Sequence, residues 1–540
     1  MKIYIDNKEL DIEKGMNYLD LSTKLYGRKK KVGVIVNNYY KNFLEKVEEN
    51  ERIHFFDKYS SESDGILQRT IILIFILACK NLYEDKTIEV EHSIGEYIYC
   101  ELKGGNKLLH TDVKIIKEEM QRIIDADYKV YRKTTDKKSA LKLFEKEGYK
   151  DKVLLFKNLN FKDIHYYEVD GRIFTFHGYL APSTGYIDKF DIISYYPGVA
   201  ITVPSSRTNG ELTEFHERKL LAKIFSNSKR WTNMLDIANV GNLNSYVKNN
   251  DIKFIIDTSE TYFENQISNI ADMIVNDNDI TIAQIAGPSS SGKTTSAYRL
   301  SVQLAIRGKR PILISTDDYF VNRENTPINE DGEVDYEMLE AIDLEKFNDD
   351  LMTLMEGGEI ELPRFNFVTG SREKSGKFIK LEKDSIILIE GLHCLNPKLT
   401  QLVPEKKKFK IYISALTQLN IDSHNRISTS RVRLLRRMIR DNNFRGNSIE
   451  DTFEGWDKVR RGEEKYIFPY QDLADIAVDS SLVYELCILK KYAYELFDTY
   501  DSNGKYYKEI KKLRAFLKYF IDIDDETLVP NNSVLREIIG

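Results

Sequence analysis

Residues 287–295 read GPSSSGKTT. Gly287-x-x-x-x-Gly292-Lys293-Thr294 has the spacing of a P-loop: the glycines let backbone N–H groups turn inward around phosphate oxygens, Lys293 supplies positive charge at the β and γ phosphates, and the Thr294 hydroxyl can ligate Mg2+. Ser289, Ser290 and Ser291 inside the loop and Thr295 just after it complete the expected ATP cradle, and the helix that opens there adds its positive dipole end. Switches and motors use such a loop too, so the acids decide the chemistry. Two apolar runs end in carboxylates: PILIST runs into Asp317-Asp318, and SIILI into Glu390-Gly391. In a parallel sheet ligands sit beyond the C-terminal ends of the strands. Asp317 is therefore the expected acceptor of an attacking hydroxyl's proton, with Asp318 its nearest competitor, and Glu390 is expected to hold Mg2+ together with Thr294.

The run RVRLLRRMIRD places Arg433, Arg437 and Arg440 at spacings of four and three, on one helical face. Such a stripe suits clamping a transferring phosphoryl group, with Arg440 in the catalytic part; a nucleic-acid patch and an ordinary solvated face are its other uses. Arg445, just before Gly446, is placed to close the same lid over ATP.

These groups need a scaffold that brings strand ends together. Past Asp279 the chain alternates strand, Gly-rich turn, helix and strand: TIAQIA, GPSSSG, KTTSAYRLSVQLAIRG, KRPILIST, later SIILIEG and KFKIYIS. That alternation predicts an α/β unit, a parallel sheet with helices on both faces. Ahead of it, SETYFENQISNIADMIV sets Phe263, Ile267, Ile270 and Ile274 on one face behind Ser259 as a cap. The chain starts with strand-like alternation (KIYI, ELDI, VGVIVNN, RIHFFD) around a short helix at YLDLSTKLYG, and the polar SSESDG at 60–65 reads as a linker. An α+β segment follows, with an apolar helix over QRTIILIFILACKNLY and strands at KVLLFKNL and RIFTFHGYL. The expected division is a small β-rich domain at 1–60, an α+β domain at 61–220, a connecting helical region at 221–278, the P-loop domain at 279–490 and C-terminal helices at 491–540.

Lys+Arg at 79 against Asp+Glu at 85 gives a net charge of -6, which argues against a chain-wide nucleic-acid coat. Four dispersed cysteines form no CxxC pair, so neither a zinc ribbon nor a disulfide framework is indicated. The start lacks an apolar stretch of signal-peptide length, and the apolar run Ile71 to Cys79 is half of what a membrane span needs. The expectation is a soluble cytoplasmic protein without a membrane partner, whose length leaves room for a homo-oligomer.

The order GPSSSGKTT, STDDYF, EVDYEMLEAID, LPRFNFVTGSR, IILIEGLHCL and RLLRRMIRDNNFRG resembles the uridine kinase branch of the phosphoribulokinase and uridine kinase family, over about residues 280 to 485. The resemblance implies that ATP phosphorylates the 5'-hydroxyl of a nucleoside, with Asp317 as base and Asp335 and Arg437 near the ribose. It places Phe365 and Phe367 beside the base, although both also suit core packing, includes Arg372 among the substrate contacts, and sets Arg440 and Arg445 near the ATP phosphates. The chain departs from the pattern at Gly370, where the family has a base-contacting histidine, at Asn447 in the lid, and at Arg431, where an Asp often opens the arginine helix. An acceptor of another kind, a sugar phosphate or other small alcohol, is the alternative within the same mechanism. A nucleotide-regulated RNA-binding protein is the alternative outside it.

Residues 1 to about 200 resemble the N-terminal half of threonyl-tRNA synthetase, a ubiquitin-like (β-grasp) domain followed by an editing-type domain, on ILACKNLYEDKTIEVEHSIGEYIYCEL and GYLAPSTGYIDKFDI. That editing domain binds metal through HxxxH and CxxxH. Here those positions fall on Arg69, Leu73, Phe176 and Leu180, none of which offers the required donor, so neither metal nor editing chemistry is expected. His92 and His177 read as lone histidines, and Arg28 to Lys31 as a solvated basic loop.

Overall fold

The computed structural model describes residues 1–540 apart from 7, 84–85, 105–106, 330–331, 367–368 and 418. Its first sheet is mixed, with strands across it in the order Lys8–Asp11, Lys2–Ile5, Arg52–Asp57, Lys31–Val36 and Tyr39–Lys41, around the helix Tyr18–Tyr26. Alternate residues of these strands (Ile3, Val34, Val36, Ile53, Phe55) close a small core on Tyr18 and Leu21 of the helix.

The expected linker at 60–65 instead forms the first turn of a 22-residue helix, Ser61–Leu82. Glu62 and Asp64 lie in that turn, where acidic groups favour the helix dipole. This helix is long and apolar enough to cross a membrane, with a mean hydropathy of 1.6, yet Ile71 to Cys79 are buried throughout. It is the core of the second region, beneath an antiparallel sheet ordered Asp191–Tyr195, Gly198–Thr202, Tyr97–Leu102 and Ile88–Ile94. KVLLFKNL, read as a strand, lies in the helix Lys150–Asn158, which buries Val153, Leu155 and Phe156. A short apolar run does not distinguish strand from buried helix by its period. RIFTFHGYL is a strand only over Arg172–Phe174. The Ser259 cap also shifts: the helix runs Ile252–Val275, so Ser259 lies inside it and its hydroxyl donates to the Ile255 carbonyl at 2.6 Å, while Phe263, Ile267, Ile270 and Ile274 are buried as expected.

The parallel sheet forms where the alternation placed it. Its strands lie in the order Arg310–Ser315, Ser385–Glu390, Ile282–Ala286, Lys408–Ser414 and Ile476–Asp479, every neighbouring pair parallel. Register sets Ser315 opposite Glu390, so both strands release their polar ends at one level.

The front half does not hang on a free linker. One apolar core joins Phe156 and Ile164 with Leu243 and Ile255 of the connecting helices and with Leu435, Leu489 and Phe516 of the C-terminal half. A hairpin, Asn420–Asp422 with Asn425–Arg426, reaches from the C-terminal half into the front half. There Lys152 Nζ meets Asp422 Oδ1 at 2.6 Å with both side chains fully buried, Asn425 Nδ2 donates to the Thr175 carbonyl at 3.0 Å, and the Val90 amide donates to the Ser423 carbonyl at 2.8 Å.

Candidate active site

Gly287 ends the central strand where a Cβ would run into the Ile413 carbonyl, so only glycine lets the loop leave so close to the neighbouring strand. Gly292 has φ +78°, the left-handed region that favours glycine. The carbonyls between them are tied from behind. Arg433 Nε donates to the Ser289 carbonyl at 2.9 Å, Arg436 Nη1 to that of Ser290 at 3.5 Å, and the Ser480 hydroxyl to that of Ser291 at 2.5 Å. With the carbonyls held outward, the amides at the start of the helix Lys293–Ala305 remain as donors on the open side, the electrostatics an anion needs.

That open side is a cavity of about 360 Å3. Ser289, Ser290, Ser291, Gly292, Lys293 and Thr294 line one end, Asp317 and Glu390 the floor, and Arg437, Arg440 and Arg445 the roof. Phe320, Tyr336 and Phe365 form an aromatic wall, Phe320 edge-on to Phe365 with ring centroids 5.6 Å apart. Asp318 does not share the floor: its Oδ1 accepts from the Phe365 amide at 3.2 Å and so anchors the aromatic strand.

Glu390 Oε1 accepts from the Ser315 hydroxyl at 2.9 Å and from Thr294 Oγ1 at 3.5 Å. Burial, then the nearby Asp317 carboxylate, pushes its carboxyl up to about 7. Asp317 is also raised, by desolvation, with Lys293, Arg445 and Arg440 acting in the opposite direction. Two buried carboxyls raised by desolvation, Glu390 further by its neighbour Asp317, beside a hydroxyl are a hard-oxygen donor set, which fits Mg2+.

The arginine stripe divides. Arg433 is 2% exposed and pairs with the buried Glu463, whose Oε1 also accepts from the Ser289 amide at 3.2 Å, so Arg433 braces the loop from behind and does not reach the phosphoryl side. Arg437 Nη1 donates to the Ser289 hydroxyl at 2.8 Å. Arg437, Arg440 and Arg445 converge on the buried Asp441, at 3.3, 2.7 and 3.6 Å, which holds the three guanidinium groups together at the roof.

Of the remaining expected residues, Thr295 lies at the loop's edge, Asp335 and Arg372 are not among the residues lining the cavity, and Phe367 falls outside the described residues. Asp335 accepts from the Glu337 amide at 2.9 Å, and Arg372 pairs with Asp343 at 2.8 Å. Glu337, two residues on, is the carboxylate that lines the cavity; burial pushes it up to about 7 while Arg437 draws it down. Arg323 lines the acceptor end, where Gly370 at φ +70° leaves room for its side chain. Neither was singled out from the sequence, although Glu337 stands inside the quoted EVDYEMLEAID. Glu537 has no such signal: from the C-terminal helix Arg536–Ile539 it accepts from Thr295 Oγ1 at 2.5 Å and lies 4.0 Å from Arg440 Nη1.

The phosphoribulokinase / uridine kinase family model matches residues 282–485. A uridine kinase of Macrococcus caseolyticus is 30% identical over 200 residues, covering 37% of this chain and 87% of the relative. Another, of Staphylococcus carnosus, is 29% identical over 202 residues, covering 37% and 88%. A solved structure described as a possible uridine kinase from Bacillus stearothermophilus is 20% identical and covers 40% of this chain and 98% of its own, with a TM-score of 0.28. A glycine-lined phosphate cradle, acids at two parallel strand ends and an arginine roof thus lie within the matched segment, and the chain belongs to the phosphoribulokinase/uridine kinase family.

Proposed function

We propose that this chain is an ATP-dependent kinase that transfers the γ-phosphate to the 5'-hydroxyl of a nucleoside. The observation that carries this reading is one cavity lined together by the phosphate loop, by Phe320, Tyr336 and Phe365, and by Asp317. Lys293 and the amides of the loop bind the β and γ phosphates, and Arg437, Arg440 and Arg445 neutralise charge on the phosphoryl group in transit. Asp317, made more basic by desolvation, accepts the proton as the hydroxyl oxygen bonds to the γ-phosphorus; the bond to the β–γ bridging oxygen breaks and ADP departs. Thr294 and Glu390 would hold Mg2+, which supplies charge neutralisation on the phosphates. Phe320, Phe365 and Tyr336 give the base an apolar face, and Glu337 and Arg323 offer an acceptor and a donor to the sugar and base.

A second acceptor class, a phosphorylated sugar, draws support from Arg323 and Arg437, which line the same cavity. ATP consumption over a panel of nucleosides and sugar phosphates, with product identification, separates the two. For the front half we propose the ubiquitin-like and metal-free editing-type reading. It is supported by the mixed sheet around one helix and by the four would-be ligand positions: Leu73, Phe176 and Leu180 lie in the apolar core, and Arg69 donates to the Tyr179 carbonyl.

A further inference from the structure

A second cavity, of about 300 Å3, lies at the opposite end of the arginine helix Thr429–Arg445, between the front half and the catalytic half. Five arginines line it, but three are committed: Arg433 and Arg460 to Glu463, and Arg207 to Glu96 and Glu464. Arg218 has neutral partners, the Phe468 carbonyl and the Gln471 amide. Among the described residues, Arg426 makes no side-chain hydrogen bond or ion pair, and burial beside Arg431 lowers its pKa to about 10. The 17-residue helix begins in this cavity without a side-chain cap on Ser428, so the amides of Thr429 and Ser430 have no hydrogen-bond partner among the described residues. Two further lining atoms, His92 Nε2 and Thr417 Oγ1, are buried without a hydrogen-bond partner among the described residues. The only carboxylate among the lining residues, Glu91, is held by Lys229 at 2.6 Å.

An Arg426 without a partner among the described residues, an Arg218 held only by neutral groups, an uncapped helix start and orphaned polar atoms in one cavity are the complement of a doubly charged oxyanion. The cavity shares Glu91, His92, Phe225 and Thr417 with a larger one of about 850 Å3 walled by Tyr99 and Tyr195, where His92 stacks on Phe225 at 3.8 Å. Glu91, Glu101 and Glu217 line that larger space, where Lys229 is already paired to Glu91 and Glu101 and Arg230 is the other cation, so the arginine end favours a phosphate while an aromatic ring fits the other. We infer that this junction is a second ligand site, separate from the catalytic cavity, that takes the phosphate group of a nucleotide-sized phosphate ester on Arg218, Arg426 and the start of the arginine helix. Front-half residues such as His92 and catalytic-half residues such as Arg426 each supply part of it, so the site exists only when the two are joined. It also touches the catalytic centre through one side chain: Arg433 lines it and donates to the Ser289 carbonyl of the phosphate loop. Occupancy at the junction therefore acts on the geometry of the ATP cradle.

Backbone hydrogen exchange of the full chain tests this in a Lys293→Ala background, which weakens the catalytic loop's own hold on phosphate. The probes are inorganic phosphate, uridine 5'-monophosphate and uridine. The choice of nucleotide rests on the kinase reading; the inorganic phosphate arm does not. The expected result is slowed exchange across residues 426–431, by about fivefold or more, with both phosphate-bearing probes and none with uridine. Saturation is expected at a concentration about tenfold lower for the nucleotide than for inorganic phosphate. Adding Arg218→Gln and Arg426→Gln should abolish the protection, and Arg426→Lys alone should retain it, with thermal midpoints confirming that each variant is folded. No protection at 426–431 with either phosphate-bearing probe, read on the chain with both arginines intact, overturns the site whatever the variants do. Protection that survives the paired glutamine changes overturns the assignment of its residues, and equal saturation by both probes overturns the ester in favour of free phosphate.

Discussion

At the ends of the parallel strands and at the junction with the front half, the molecule buries charge in opposite ways. Asp317 and Glu390 face a cavity and are both raised by desolvation, Glu390 further by Asp317, with Lys293 only partly offsetting them and Arg445 and Arg440 acting on Asp317. Lys152 and Asp422 face each other at 2.6 Å, and the ammonium, together with the hydrogen bond from His177, holds the Asp422 carboxyl well below the usual range despite its full burial. Acids left short of positive charge are what a ligand-binding floor requires; acids fully answered by neighbours are what a fixed joint requires. Burial alone does not separate the two, but the partner does.

The comparison can be broken at either end. Asp317→Asn should lower kcat by about 10²–10⁴-fold, the usual worth of a positioned proton acceptor, with an unchanged unfolding midpoint, measured by steady-state ATP consumption. If the midpoint fell and kcat did not, the carboxylate would belong with the joint. The reverse is expected of Lys152→Met, which leaves Asp422 buried without its ammonium partner: stability should drop by about 3–5 kcal/mol in denaturant titrations.

Acid sharpens the contrast. Burial pushes His393, at the catalytic cavity, down to about 4 and His424, beside the joint, down to about 3. Each is neutral when folded, whereas the unfolded chain protonates it below about pH 6.5. At these two sites the unfolded state then binds more protons, so the histidine contribution to stability should fall as pH drops from about 6.5 toward 4, by up to about 1.4 kcal/mol per pH unit for each, against the opposite contribution of Glu390 and Glu337, whose carboxyls burial raises to about 7. The difference in unfolding midpoint between His424→Asn and the unaltered chain, followed from about pH 7.5 to 5, measures it: the variant should gain stability relative to the parent as pH falls. The smallest effect belongs to Glu537. Its carboxylate lies beside the phosphate cradle and opposes a polyanion, so Glu537→Gln should lower the KM for ATP about fivefold with little change in kcat, a like charge near 4 Å being worth about 1 kcal/mol in water.

The catalytic end was readable because its chemistry demands fixed spacings. A loop that wraps phosphate needs Gly287 and Gly292 at set positions, and strands that feed it read as apolar runs ending in polar residues, so the loop, Asp317 and Glu390 all meet in one cavity. Helical period put Arg433 on one stripe with Arg437 and Arg440, but period cannot say which end of a helix reaches a cavity, and Arg433 sits a turn too early. Nothing local marks Asp422 as the partner of Lys152, 270 positions earlier in the chain, or Glu537 as a neighbour of Thr295. Contacts between distant segments are set by packing, and the helix Lys150–Asn158 was misread for the same reason: its apolar run is buried by elements far away in sequence.

The position of the last helix has a practical consequence. Val534 packs over Gly292 and Glu537 reaches Thr295, so a group attached to the helix Arg536–Ile539 stands at the rim of the ATP cradle. A purification handle there would intrude on turnover, while a fluorophore at the same place would act as a reporter of nucleotide arrival.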